Sequence, residues 1–139
     1  MKKKILYYLL LLMLFASCNK AFINGKLDGM WQLMEIDKSE GERIDAKADR
    51  IYYSVQLQLI SLRQAGKGQF IGRFVHRGDS LWIHDLRIYG VKEEDKLATK
   101  EHLAPFGFNG ISERFAVEEL SRSRMVLRSE YATLSFRKF

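Results

Sequence analysis

From Ile51 onward, apolar and polar residues alternate with a period of two. This period constrains the fold most, because successive side chains of an extended chain point to opposite faces. In the stretch 50–60, Ile51, Tyr53, Val55, Leu57 and Leu59 are apolar, and Ser54, Gln56 and Gln58 are polar, with Tyr52 and Ile60 as exceptions. The spacing predicts one long strand of an antiparallel sheet, buried on one face. Residues 68–76 and 80–84 form a hairpin around Arg77-Gly78-Asp79-Ser80, whose Gly and Asp suit a tight turn. With Gly78 and Asp79 at its tip, Phe74 faces Ile83, Val75 faces Trp82, and His76 faces Leu81. A last hairpin turns at Glu130-Tyr131, pairing Leu127 with Leu134 and Met125 with Phe136 on one face. A slip of one residue would mix the two faces, so the register is fixed.

Other segments are shorter. Gly29 to Ile36 gives the first strand, with Trp31 and Leu33 inward, and the polar stretch Asp37 to Asp49 leaves room for a short helix. Phe115, Val117 and Leu120 mark the strand before the last hairpin. Between them, Leu86, Ile88 and Val91 predict a short strand, Lys92 to Ala104 a helix ended by Pro105, and Phe106-Gly107-Phe108-Asn109-Gly110 a loop with exposed, lid-like aromatics. Seven or eight strands at hairpin spacing fit a sandwich or a barrel. Closure removes edge strands and favours the barrel. The fold expected is all-β: a single antiparallel up-and-down barrel of about eight strands with one or two short helices.

The amino end carries a different signal. Lys2, Lys3 and Lys4 precede Ile5 to Phe15, eleven uncharged residues, and Ala16-Ser17-Cys18 follow. Positive, apolar and small-residue regions in that order make a secretory signal, and about 20 residues would be needed to span a bilayer. Leu14-Phe15-Ala16-Ser17-Cys18 resembles the lipobox of bacterial lipoproteins. The resemblance implies cleavage before Cys18, lipid on Cys18 and attachment to a membrane. No acidic run follows Cys18, and the resemblance therefore implies an outer-membrane lipoprotein of a Gram-negative envelope, facing the periplasm. Cys18 is the only cysteine, so the mature fold holds without a disulfide. The organisation is a signal peptide over 1–17, a tether over 18–27 and one domain over 28–139.

Removing residues 1–17 from 139 leaves 122, enough for one domain with a core. The net charge of +6 includes the three signal lysines, leaving +3 on the mature chain. No run of five like charges occurs, and a nucleic-acid partner is not expected.

Gly29-Met30-Trp31 opens the first strand, and Arg137 lies in the last strand. A G-x-W at the start of the first strand, with a basic residue late in the final one, is similar to the pattern of lipocalins. The chain resembles the lipocalin-like domains of bacterial lipoproteins over residues 27–139. The resemblance implies that Gly29, Trp31 and Arg137 plug the closed end of a barrel and bind no ligand.

Chemistry is sparse. His76 and His84 have opposite parity in the hairpin and are expected to point to opposite faces, His102 lies in the connector, and no H-x-x-x-H or cysteine pair exists. Glu93-Glu94-Asp95 reads as a solvated helix start and Glu118-Glu119 as a strand surface. No nucleophile elbow, phosphate loop or dinucleotide glycine pattern occurs. No enzyme activity, metal or cofactor is expected. An apolar ligand in the bore would meet Tyr53, Val55, Leu57, Phe74, Ile83, Val117 and Leu127, with 37–49 and 91–112 gating entry. A side-chain-filled barrel would instead act as an envelope interaction or inhibitor module through an outer face around Tyr52, Ile60, Ile71, Val75, Trp82 and Val126.

Overall fold

The last strand pairs with the first, so the alternating sheet closes on itself. A computed structural model of the chain describes residues 1–15, 23–90 and 96–139. Helix α1 (Lys2–Phe15) is separated in sequence from nine strands: β1 (Gly29–Lys38), β2 (Arg43–Asp45), β3 (Ile51–Gln56), β4 (Leu59–Gln64), β5 (Gly68–Arg77), β6 (Ser80–Ile88), β7 (Glu113–Leu120), β8 (Arg124–Arg128) and β9 (Ala132–Lys138). Helix α2 (Lys100–Leu103) lies between β6 and β7. All paired strands are antiparallel, and β3 through β9 follow one another around the wall. β1 joins β3 at one edge and β9 at the other. β2 takes the same edge of β1 as β3, further along, and is the extra strand of an eight-strand barrel. No described helix is long and apolar enough to cross a membrane.

The hairpin registers follow side-chain parity. Phe74 lies opposite Ile83, Val75 opposite Trp82 and His76 opposite Leu81. Met125 lies opposite Phe136 and Leu127 opposite Leu134, and all four are buried. The β8–β9 turn is held by Ser129, whose hydroxyl accepts from the Tyr131 and Ala132 amides at 3.2 and 3.1 Å.

Strand direction defines two ends. The starts of β1, β4, β6 and β8 gather at one end, which Leu27 closes from a 3-10 turn over Gly25–Leu27. The other end carries the 39–42, 46–50, 65–67 and 129–131 connections and the described parts, 89–90 and 96–112, of the β6–β7 connection.

Three expectations are corrected. The stretch 50–60 is two strands, because the chain reverses at Leu57-Gln58, where Leu57 adopts a left-handed φ of 55°. A two-residue turn resets the parity, so Ile60 and Leu62 are buried while Leu57 and Leu59 are each half exposed. Ile60 and Tyr52, expected outside, are both buried, Tyr52 beneath the Phe139 ring at 5.1 Å. The second correction concerns the connector. Among the described residues of the connector only Lys100–Leu103 is α-helical, while Leu97 bridges Arg87 as an extension of the sheet. Val91 and the expected helix start at Glu93-Glu94-Asp95 lie outside the described residues. Third, Phe106 and Phe108 are not a lid: both are buried. The 37–49 stretch holds β2 and a 3-10 turn at Lys47–Asp49.

Candidate functional site

The bore of the barrel is built from the inward positions of every long strand and then closed by the connector. Tyr53, Val55, Ile83 and Leu127 are buried in it, as expected of inward residues. Leu57 is not, since it sits on the β3–β4 turn. Phe74 and Val117 are partly buried against the core. Thr99 caps α2 by accepting from the His102 amide at 3.3 Å, with the His102 ring accepting from the Thr99 amide at 3.1 Å. Pro105 and the left-handed Gly107 (φ 88°) then turn the chain back. This turn inserts Leu103, Phe106 and Phe108 among the barrel side chains. Phe106 meets Phe70 edge-on at 5.8 Å, and Phe108 meets Phe115 at 5.8 Å.

Tyr53 fixes this stopper. Its hydroxyl donates to the Phe106 carbonyl at 2.5 Å, and its ring meets Phe136 edge-on at 4.7 Å. A fully buried phenol needs such a partner, since an unpaired hydroxyl in an apolar bore is costly. Burial, with the Glu113 carboxylate adding, holds its pKa well above 10.0. The aromatic residues of the connector were legible in the sequence, but their destination was not.

At the closed end, Trp31 is buried and its indole donates to the Leu27 carbonyl at 2.9 Å. The basic group over its ring is Lys138, 4.3 Å from the centroid. Arg137, the residue that the motif singled out, points outward and donates to Gln32 Oε1 at 2.9 Å. β9 sets Lys138 directly opposite Trp31, and parity therefore sends Arg137 to the other face. The φ of Gly29, 116°, favours glycine, and a Cβ there would lie 2.7 Å from the Lys138 ammonium and displace it.

A family model described as a lipocalin-like domain matches residues 12–139. The chain belongs to the lipocalin-like domain family. Among solved structures it is similar to a lipocalin-like protein from Bacteroides uniformis, with 28% identity and a TM-score of 0.65. That match covers 83% of this chain and 100% of the other. An uncharacterized protein from Bacteroides eggerthii has the same fold at 22% identity and a TM-score of 0.63, over 81% of this chain and 99% of that one. A protein from Burkholderia xenovorans, at 15% identity, 81% and 82% coverage and a TM-score of 0.56, shares it too. No curated protein sequence matches the chain.

The lipocalin-like domain presents clefts on its surface and at its mouth. At the mouth, a cleft of about 300 Å³ is floored by Ala104 and Pro105 of the stopper and walled by Ile36, Ile44, Ile51 and Tyr131. Lys38 and Lys67 stand at it, Lys38 5.7 Å from the Tyr131 centroid and paired with Glu42 at 2.9 Å. The Glu42 carboxylate, with Tyr131, raises the Lys38 pKa above 10.5. On the outer wall, Trp82 is stacked on His84 at 3.9 Å, with the Arg114 guanidinium 4.4 Å from its centroid. Trp82 and Arg114 border a wider cleft of about 790 Å³ with Arg128 and Glu130.

His76, opposite the inward Leu81, and His84, stacked on the outward Trp82, lie on opposite faces as expected, and both border one groove at the closed end, where the strands run out. No cluster of three His, Cys, Asp or Glu side chains that could hold a metal occurs among the described residues. Glu118 and Glu119 engage Arg128 at 2.6 Å and Arg124 at 3.4 Å as surface ion pairs. Cys18 lies outside the described residues.

Proposed function

We propose that the protein is a lipoprotein of a Gram-negative cell envelope, held to the outer membrane through lipid on Cys18 and facing the periplasm. Its lipocalin-like domain takes a small apolar molecule at the barrel mouth. The observation that carries the ligand reading is the mouth cleft. The two segments expected to gate entry both contribute apolar residues to it, Ile44 and Ala46 from 37–49 and Ala104 and Pro105 from 91–112, beside Ile36, Ile51 and Tyr131. At about 300 Å³ it reaches the lower end of the range for small-molecule pockets. Burial of apolar ligand surface, at roughly 25 cal/mol per Å², would supply the affinity. A polar end would meet Lys67, Asp49, Gln64 and the Glu42-paired Lys38 at the rim.

The ligand is placed above the stopper, not in the bore lined by Tyr53, Val55, Phe74, Ile83, Val117 and Leu127. Phe106 and Phe108 occupy that space.

Native mass spectrometry of the mature domain, produced without Cys18 and extracted from cells, tests this. A co-purifying small molecule that Ile44→Trp expels supports the reading; a molecule retained equally by Ile44→Trp excludes the mouth. A second reading, a protein-interaction or inhibitor module, is favoured by the outward Trp82, which Arg114 and His84 hold in place. A retained envelope protein lost in Trp82→Ala would support it.

A further inference from the structure

The start of the domain is clamped to the β3–β4 turn. Asn24 Nδ2 donates to the Leu57 carbonyl at 2.7 Å and to Asp28 Oδ1 at 2.7 Å, and the Asn24 amide donates to Asp28 Oδ2 at 3.0 Å. From Asn24 onward the chain is therefore held to the barrel, and in sequence six residues, 18–23, come before that clamp from Cys18 on. Six extended residues reach at most about 20 Å. β1, ten residues long, carries the mouth roughly 30 Å further along the barrel. Lipid on Cys18 would thus hold the closed end near the bilayer and turn the mouth away.

At that end a groove of about 560 Å³ opens beside the clamp. Ile23, Leu57 and Val75 border it, each at least a third exposed. Arg73, His76 and His84 border it too, and among the described residues no carboxylate does. Leu57 is informative in its own right. A two-residue hairpin turn with positive φ favours Asn, Asp or Gly, and a leucine there is strained and only half covered. The chain keeps an apolar side chain at a tip where local energetics prefer a polar one.

We infer that this groove is a lipid-contact surface, in which Leu57, Ile23 and Val75 enter the acyl boundary of an anionic phospholipid leaflet while Arg73, His76 and His84 meet its phosphates. Exposed apolar side chains ringed by basic ones are the chemistry of an interfacial membrane contact. The inference rests on the lipoprotein reading, since those six residues define which end faces the membrane.

The test uses the full lipidated chain in vesicles containing phosphatidylglycerol, with a nitroxide placed at Leu57→Cys or, at the opposite end, at Glu130→Cys. Expected is several-fold stronger relaxation by oxygen than by a water-soluble nickel chelate at position 57, and the reverse at position 130. Aqueous behaviour at both positions, in protein whose intact mass shows acylated Cys18, overturns the groove and leaves the anchor standing. Unmodified Cys18 overturns the anchor, and the orientation with it. Leu57→Asn, a substitution that the turn accepts, supplies a second reading with the nitroxide at Val75→Cys. Loss of the oxygen preference there is expected, and its persistence would count against Leu57 as the inserted side chain.

Discussion

The Lys138 ammonium sits 4.3 Å above the Trp31 ring, opposite it across the β1–β9 pairing, and occupies the space that a Cβ on Gly29 would need. The same ammonium donates to the Asp28 carbonyl. Partial burial lowers the Lys138 pKa, an effect that Asp28 opposes. Three residues at the seam thus depend on one another, and the seam is where the barrel closes.

Gly29→Ala is therefore expected to destabilise the domain by about 1–3 kcal/mol through its φ of 116°, and to push the Lys138 ammonium from its place. Lys138→Met removes a cation–π contact of about 0.5–1 kcal/mol. In a Trp82→Phe background, where Trp31 is the sole tryptophan, Lys138→Met shifts the emission maximum and Arg137→Met leaves it in place. Urea unfolding and fluorescence check both.

Phe106→Ala should cost about 3–5 kcal/mol, because it empties space bordered by Tyr53 and Phe70 that the wall cannot refill. The hole should then bind a benzene-sized molecule, seen as a rise in thermal midpoint with added ligand. Gly107→Ala should destabilise as well, since a Cβ there would lie 2.4 Å from Leu134 Cδ2.

Tyr53 gives the domain an alkaline limit. Burial keeps the folded phenol neutral, so its pKa exceeds the unfolded value of 10.0. Its contribution is complete below pH 10 and declines as pH rises above 10, where the unfolded chain ionises. Tyr53→Phe is expected to flatten this decline while lowering neutral-pH stability by about 1–3 kcal/mol, since the Phe106 carbonyl loses its donor. Unfolding midpoints at pH 8 and pH 11 separate the two effects.

Trp82→Ala should change stability by less than about 1 kcal/mol, because the partly buried ring lies on the outer wall and contacts His84 and the exposed Arg114. A thermal midpoint several degrees lower would show the ring to be structural and would remove the reason for reading that face as a partner surface.

Parity alone determined the β5–β6 and β8–β9 pairings. Phe74, Ile83, Met125 and Leu134 each have one apolar neighbour across the pairing, and a slipped register would turn them all to the other face. The Leu57-Gln58 turn escaped the same logic. It contains no Gly, Asn or Asp, so the sequence ran on as one strand where the backbone reverses. The seam misled differently: the motif drew attention to Arg137, while the pleat placed Lys138 over Trp31.

Local pattern thus specified strands, faces and an all-β fold, because side-chain alternation is a property of adjacent residues, while closure into a barrel rests on the long-range β1–β9 pairing. The fate of Phe106 and Phe108 was decided only in three dimensions. Their burial depends on Tyr53, Phe70 and Phe115, which lie far away in the chain or on another strand. No local periodicity can state that a connector turns inward and fills the barrel it was expected to cover.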